Sequence, residues 1–210
     1  ARQRVGIKIV PFGLLLVGNS SLGKSVLSKR LAHQLLEVNG FPSKSHNIMS
    51  KNLNDAFDSV YDASKLAILL DDLMNTVPAM VKVNPVDALN SLFNNDQRPC
   101  LKAEIELKGI VYMRPKVVIG STNIKTLDAH MYSNSPVSVV RRFAYTLNVD
   151  IHPAFKLPGG NGLDESKLTY SIVNGHRIAN EDPWLITIET VKGVSGVGKE
   201  NAVYSVVVHE

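Results

Sequence analysis

The sequence predicts an α/β domain, a central parallel sheet layered between helices, with a small β-rich unit appended at its C-terminus. Three observations carry that reading. "GLLLVGNSSLGKS" leads a buried strand through a glycine-containing loop into an amphipathic pattern. "LAILLDD" and "KVVIGSTN" are apolar runs of strand length that end in polar residues, as strands buried on both faces do. At "LPGGNG", residues 157–162, the composition shifts to alternating β-branched segments. We therefore expect a three-layer core over residues 1–156 and a β appendage over 157–210.

The elements follow in order. "GIKIV" and "GLLLVG" read as strands, and Ser25 to Val38 as a helix with Leu27, Leu31, Leu35 and Val38 on one stripe. Gly40 and Pro42 supply its stop signal. A short helix is expected near Asp55 to Ala63, then the strand "LAILLDD". "NPVDALNSLFNND" predicts a helix with Asn84 as N-cap and Pro85 in its first turn. From Leu101 to Leu107 apolar and charged residues alternate, Lys108-Gly109 turns, and "IVYM" returns, which predicts a half-exposed β-hairpin. "KVVIGSTN" and "FAYTLNVDI" are two more strands. Beyond residue 157, "TYSIVNGHRI" carries an Asn-Gly hairpin signal, and "WLITIETV" and "VYSVVVH" alternate.

Bulk properties narrow the function classes. At 210 residues, 44% hydrophobic and 20% charged, the chain is of ordinary globular composition. Its formal net charge of +4 permits a polyanionic partner without requiring one. A single cysteine, Cys100, excludes an internal disulfide and a cysteine-based zinc site. The longest apolar runs fall far short of the roughly 20 residues a membrane-spanning helix needs. The chain opens on Ala1 without a signal-peptide pattern, and we expect it to be a piece of a longer protein.

"GNSSLGKS", Gly18 to Ser25, has what an anion-binding loop requires: a delivering strand, backbone N–H groups that curl round phosphates, a lysine and a following helix. In such a loop Lys24 neutralises the β- and γ-phosphates and the Ser25 hydroxyl ligates Mg²⁺. Ser21 and Leu22 make it less glycine-rich than most. "GVSGVGKE", Gly193 to Glu200, nearly repeats the pattern. Glu200, however, sets a carboxylate where the metal-binding hydroxyl belongs, and "NAVYSVVV" follows in place of a helix, so it reads as a hairpin connection.

Asp71 and Asp72 end one buried strand and Asn123 ends another, where ligands bind in open parallel sheets. One carboxylate there can hold Mg²⁺ through water, and the other can orient or deprotonate an attacking water. Asn123 is suited to positioning that water, and Asn is equally a common turn residue. Arg141 and Arg142 precede "FAYTLNV"; arginines neutralise charge on a transferred phosphoryl group, and they also occur as plain surface charge.

In this order, "GNSSLGKS", "LAILLDDL", "CLKAEIELKGIVYMRPKVVIGSTN" and "VVRRFAYTLNVDIHPAF" resemble the superfamily 3 helicase/ATPases of picornavirus-like positive-strand RNA viruses, over roughly residues 6–155. The resemblance implies a P-loop NTPase core of the AAA+/ASCE type that closes into a ring, a hexamer, with ATP between subunits. By position it implies that Gly18, Asn19, Ser20, Ser21, Leu22, Gly23, Lys24 and Ser25 bind the nucleotide, and that Ser25 and Asp71 hold Mg²⁺. Asp71 and Asp72 become the metal and water acids, Asn123 the sensor, and Arg141 and Arg142 candidate fingers on the neighbour's ATP. Lys102 and Lys108 would face a central pore and grip RNA phosphates; Glu104 and Glu106 dilute that basic signal, and a solvated hairpin remains the alternative.

Some members carry a cysteine-rich zinc segment, which Cys100 alone cannot provide, and an N-terminal membrane helix, which we expect to have been trimmed or to lie outside this chain. The stretch around Trp184 matches no feature of the family. The function implied is Mg-dependent ATP hydrolysis that drives RNA remodelling or unwinding in viral genome replication. It would act in the host cytoplasm with other viral replication proteins, with membrane contact only through segments outside this chain. The alternative is a nucleotide-gated RNA-binding or membrane-associated scaffold with slow hydrolysis.

Overall fold

The computed structural model describes residues 8–55, 57–75, 84–196 and 201–207. Its main sheet has seven strands. β1 (Phe12–Val17), β2 (Ile48–Ser50), β3 (Ala67–Leu70), β4 (Val117–Thr122) and β5 (Tyr145–Ile151) are parallel, and β8 (Trp184–Ser195) and β9 (Asn201–Val206) extend the sheet antiparallel beyond β5. The order across it is β2-β3-β4-β1-β5-β8-β9. A separate hairpin of β6 (Tyr170–Val173) and β7 (His176–Ala179) turns through Asn174 and Gly175, both at positive φ as an Asn-Gly turn requires.

The strands are apolar on both sides because helices cover both. Leu14 and Leu16 of β1, Ala67 and Leu69 of β3, and Val117 and Ile119 of β4 pack with Leu27, Ala32 and Leu36 of helix α1 (Lys24–Val38). The alternate residues Leu15, Val17, Ile68, Leu70 and Val118 join Val86, Leu89, Leu92 and Phe93 of α2 (Pro85–Phe93) and Val139, in α3 (Pro136–Val140). The period-two alternation of each strand thus sends neighbouring side chains to different helices. Asn84 caps α2, its side chain accepting from the Val86 N–H at 3.0 Å.

Four expectations are corrected. Lys8 to Val10 form no strand, although Ile7 and the residues before it lie outside the described residues. No helix forms among the described residues of 55–63. On α1 the buried face is rotated from the expected stripe, so that Val38 is 85% exposed while Ala32 and Leu36 are fully covered.

The fourth concerns the hairpin. Pairing is confined to its base, where Cys100 N–H donates to Val111 O and Met113 N–H to Arg98 O. Ile105–Leu107 is a single 3₁₀ turn, and Leu101 and Ile105 face solvent. The alternation finds no second layer to bury its apolar side. Asp58 draws the segment the other way: its N–H donates to Leu101 O, its carboxylate accepts the Leu101 N–H at 2.9 Å, and Lys51 pairs with it at 2.6 Å. Lys102 is buried, its ammonium donating to Ser59 O and Tyr61 O.

The Lys51–Asp58 pair is almost enclosed, with side chains 10% and 3% exposed. Asp58→Ala is expected to destabilise the fold by roughly 3 kcal/mol, because it strands a buried ammonium and the Leu101 N–H. Urea unfolding checks this, with a lower midpoint and an unchanged slope expected.

Candidate functional site

The parallel strands β1, β3 and β4 end side by side, and each ends in a residue singled out from the sequence. Gly18 leaves β1 with its N–H donating to Thr122 O at 3.3 Å, which ties the start of the loop to the end of β4. Only glycine fits there, since a Cβ would sit 2.6 Å from Val149 O. Gly23, at φ 72°, turns the chain into α1, and its carbonyl accepts from the Val26 and Leu27 N–H groups. Ser21 also adopts a positive φ, 63°, a strained position for a residue with a Cβ. Among the described residues, the N–H groups of Asn19 to Ser25 donate to no protein acceptor. Curled at a helix N-terminus, such a row of free donors makes an anion nest.

Lys24 sits at the centre. Its ammonium is 2.8 Å from Gly18 O, 2.6 Å from Asn19 O and 2.8 Å from Asn123 Oδ1. Asn123 in turn donates to Ser20 Oγ at 3.2 Å. Burial lowers the Lys24 pKa below the usual lysine value, and the nearby Asp72 carboxylate pulls it back upward. Asp71 and Asp72 are exposed immediately past β3; Asp71 Oδ1 accepts from the Ser121 hydroxyl at 3.2 Å. Asp72 has φ 51°, a left-handed turn that Asp tolerates, and its carboxylate accepts from Asn75 Nδ2 at 3.1 Å. Ser25 is exposed on the first turn of α1.

Lys24, Asn123 and the loop are therefore in direct contact, with the acid pair one strand beyond. The donor set suits a magnesium-bound polyphosphate: hard oxygen ligands at Ser25 and Asp71, and a cation and free N–H groups for the phosphates.

Arg141 and Arg142 lie at the other end of the sheet. They follow α3 and precede β5, where Ala144 N–H donates to Gly13 O near the start of β1. The six residues of β1 separate the two ends by about 20 Å of extended strand, further than an arginine side chain reaches. Among the described residues, Arg142 Nε is buried without a partner. Of the two lysines expected at a pore, Lys102 is buried as described above, and Lys108 is exposed on the loop tip. In "GVSGVGKE", Gly193 to Ser195 belong to β8, which pairs antiparallel with β9; residues 197–200 lie outside the described residues.

Two contacts to the loop had no sequence signal. Leu163 N–H donates to Ser21 O, and Trp184 Nε1–H donates to Leu22 O, both at 2.8 Å. Neither residue lies in a motif, and the strand pattern around Trp184 says nothing about where its ring goes.

The RNA helicase family model matches residues 14–124, just over half of the chain. That span holds the loop, the acid pair and Asn123. The chain is also 29% identical to the RNA1 polyprotein of Tobacco ringspot virus over 148 residues, which is 70% of this chain and 6% of the polyprotein's length.

Lys24 supplies a pH test of the loop. Phosphates prefer the protonated amine, so binding is strongest below the lowered Lys24 pKa and is lost as pH rises through it. Calorimetric titration with tripolyphosphate is expected to show this alkaline loss, and Lys24→Met to abolish it.

Proposed function

Because this chain belongs to the RNA helicase family, the superfamily 3 group of picorna-like viruses, we propose that it couples Mg-dependent ATP hydrolysis to RNA remodelling or unwinding during viral genome replication. The observation that carries the proposal is the Lys24 ammonium bridging Gly18 O, Asn19 O and Asn123 Oδ1 at the ends of two adjacent parallel strands. Three acceptors hold a cation against an open row of N–H donors, a setting that an incoming triphosphate completes.

In this reading the loop N–H groups and Lys24 cradle the phosphates. Ser25 and Asp71 would hold Mg²⁺, whose contribution is to neutralise charge on the β- and γ-oxygens. Asp72 orients the attacking water, held in its left-handed turn beside Asn75. Asn123 touches both Lys24 and the loop, so a change in phosphate occupancy reaches β4 through it. Residues 1–156 act as an AAA+-type three-layer core, with 157–210 as a β-rich appendage that continues the core's sheet through β8 and β9.

Arg141 and Arg142 are a full strand length away from this chain's own loop, so the transition-state charge they would neutralise belongs to a neighbouring subunit. This supports the ring, a hexamer in our reading. Lys108, with the exposed Ile105 and Ile110, projects on a loop tip available to RNA; Lys102 as placed supports that loop from within. The scaffold alternative gains no specific support from the site.

Lys24→Ala is expected to lower the ATPase rate by at least about a hundredfold, the usual scale for removing a charge stabiliser. A steady-state phosphate-release assay checks this. Arg142→Ala alone should also be inactive. Mixed with Lys24→Ala it should regain activity, since one mixed interface pairs an intact loop with an intact arginine. No recovery in mixtures shown to co-assemble would exclude Arg142 as a finger in trans.

A further inference from the structure

We propose that Trp184 is a positioning residue for the phosphate loop, turning the loop's N–H donors toward the nucleotide from a segment outside every recognised motif. The inference rests on the nucleotide reading of the loop given above.

It starts from peptide geometry. In a trans peptide the C=O and the following N–H point in opposite directions. Trp184 Nε1–H fixes the Leu22 carbonyl at 2.8 Å, so the Gly23 N–H faces away from the indole. Leu163 N–H fixes the Ser21 carbonyl at 2.8 Å, which turns the Leu22 N–H in the same sense. These are two of the free donors of the nest. Both belong to the part of the loop that needs holding, between the left-handed Ser21 and the left-handed Gly23. Two hydrogen bonds from one outside segment offset the strain that Ser21 carries.

The indole itself has little freedom. Trp184 is 9% exposed and opens β8, where it pairs with Ile151 of β5. The carbonyl just before it, Pro183 O, accepts from His152 N–H at 2.8 Å. Arg30 of α1 grips the preceding residues, reaching Glu181 O at 3.2 Å and Asp182 at 2.5 Å. The helix that begins at Lys24 and the strand beside β1 therefore both fix the ring. Gly23, at φ 72°, has no room for a side chain beside this segment: a Cβ there would lie 2.8 Å from Leu163 Cδ2, with the indole in ordinary contact at 3.6 Å. A side chain held this firmly, with its only hydrogen bond on a loop carbonyl, sets the loop's shape before ligand arrives.

Trp184 is the only tryptophan in the chain, so it reports on itself. MgATP titrated into the unaltered protein is expected to change its emission without moving the ring, because the triphosphate's charge arrives at the peptide whose carbonyl the indole holds. The midpoint should equal the calorimetric Kd, and Lys24→Ala should abolish the change. Trp184→Phe keeps the ring's bulk and removes the donor. It is expected to raise KM and Kd for ATP about three- to tenfold, the factor corresponding to one net hydrogen bond, while kcat stays within about twofold. A purely structural tryptophan would lower the thermal midpoint and leave the affinity of the folded protein unaltered. Unchanged emission at saturating MgATP overturns the proposal, as does wild-type affinity in Trp184→Phe. The emission test stands even where the variant fails to fold. Unaltered protein that binds MgATP no better than Lys24→Ala overturns the nucleotide reading itself, and the proposal with it.

Discussion

The site depends on the containment of one charge. An ammonium largely removed from water must find partners, and Lys24 finds three oxygens within hydrogen-bonding distance, two on its own loop and one at the end of β4. Those bonds fold the loop back over its strand and draw Asn123 against Ser20. They also lock the spacing between β1 and β4 at the end where the acids emerge from β3. The arrangement is poised for exchange, because phosphate oxygens are better partners for the ammonium than carbonyls are.

A parallel sheet gives such a molecule two unlike ends. All five parallel strands deliver their C-termini to one side, where the loop, the acids and Asn123 gather. The arginine pair enters at the opposite side, at the start of β5. No rotamer joins the two within one chain. The same directionality explains how the C-terminal residues reach the loop. β5 delivers the chain to the loop end, residues 157–183 cross it there, and β8 returns antiparallel along β5, starting from Trp184 beside Leu22. Those crossing residues cover the loop from outside and are fastened to α1 through Arg30.

The features readable in the sequence were those governed by local chemistry. The Gly18–Ser25 loop, the Asn84 cap, the Asn174-Gly175 turn and the doubly buried strands each depend on neighbours within a few residues. The hairpin expected at 101–113 failed because alternation specifies a strand only where one face has something to cover it. Here Asp58, more than forty residues earlier, competes for the same backbone through hydrogen bonds at both its amide and its carboxylate. Lys102 illustrates the same limit. A lysine in a charged stretch reads as exposed, and only the fold supplies the Ser59 and Tyr61 carbonyls that bury it. β2 is three residues long and leaves almost no periodic trace. Trp184 lies in a stretch that matches no feature of the family, and its role comes from a contact across 162 positions of sequence.

The central claim is that each hydrolytic site is assembled from the loop end of one chain and the arginine end of the next. The most direct test is the ATPase rate per chain as a function of protein concentration, read alongside sedimentation velocity. The account predicts a rate that rises with concentration and levels off as the assembled species saturates. A measurable rate that stays constant over a range where the protein sediments as a monomer would contradict it, because a single chain would then be completing its own site.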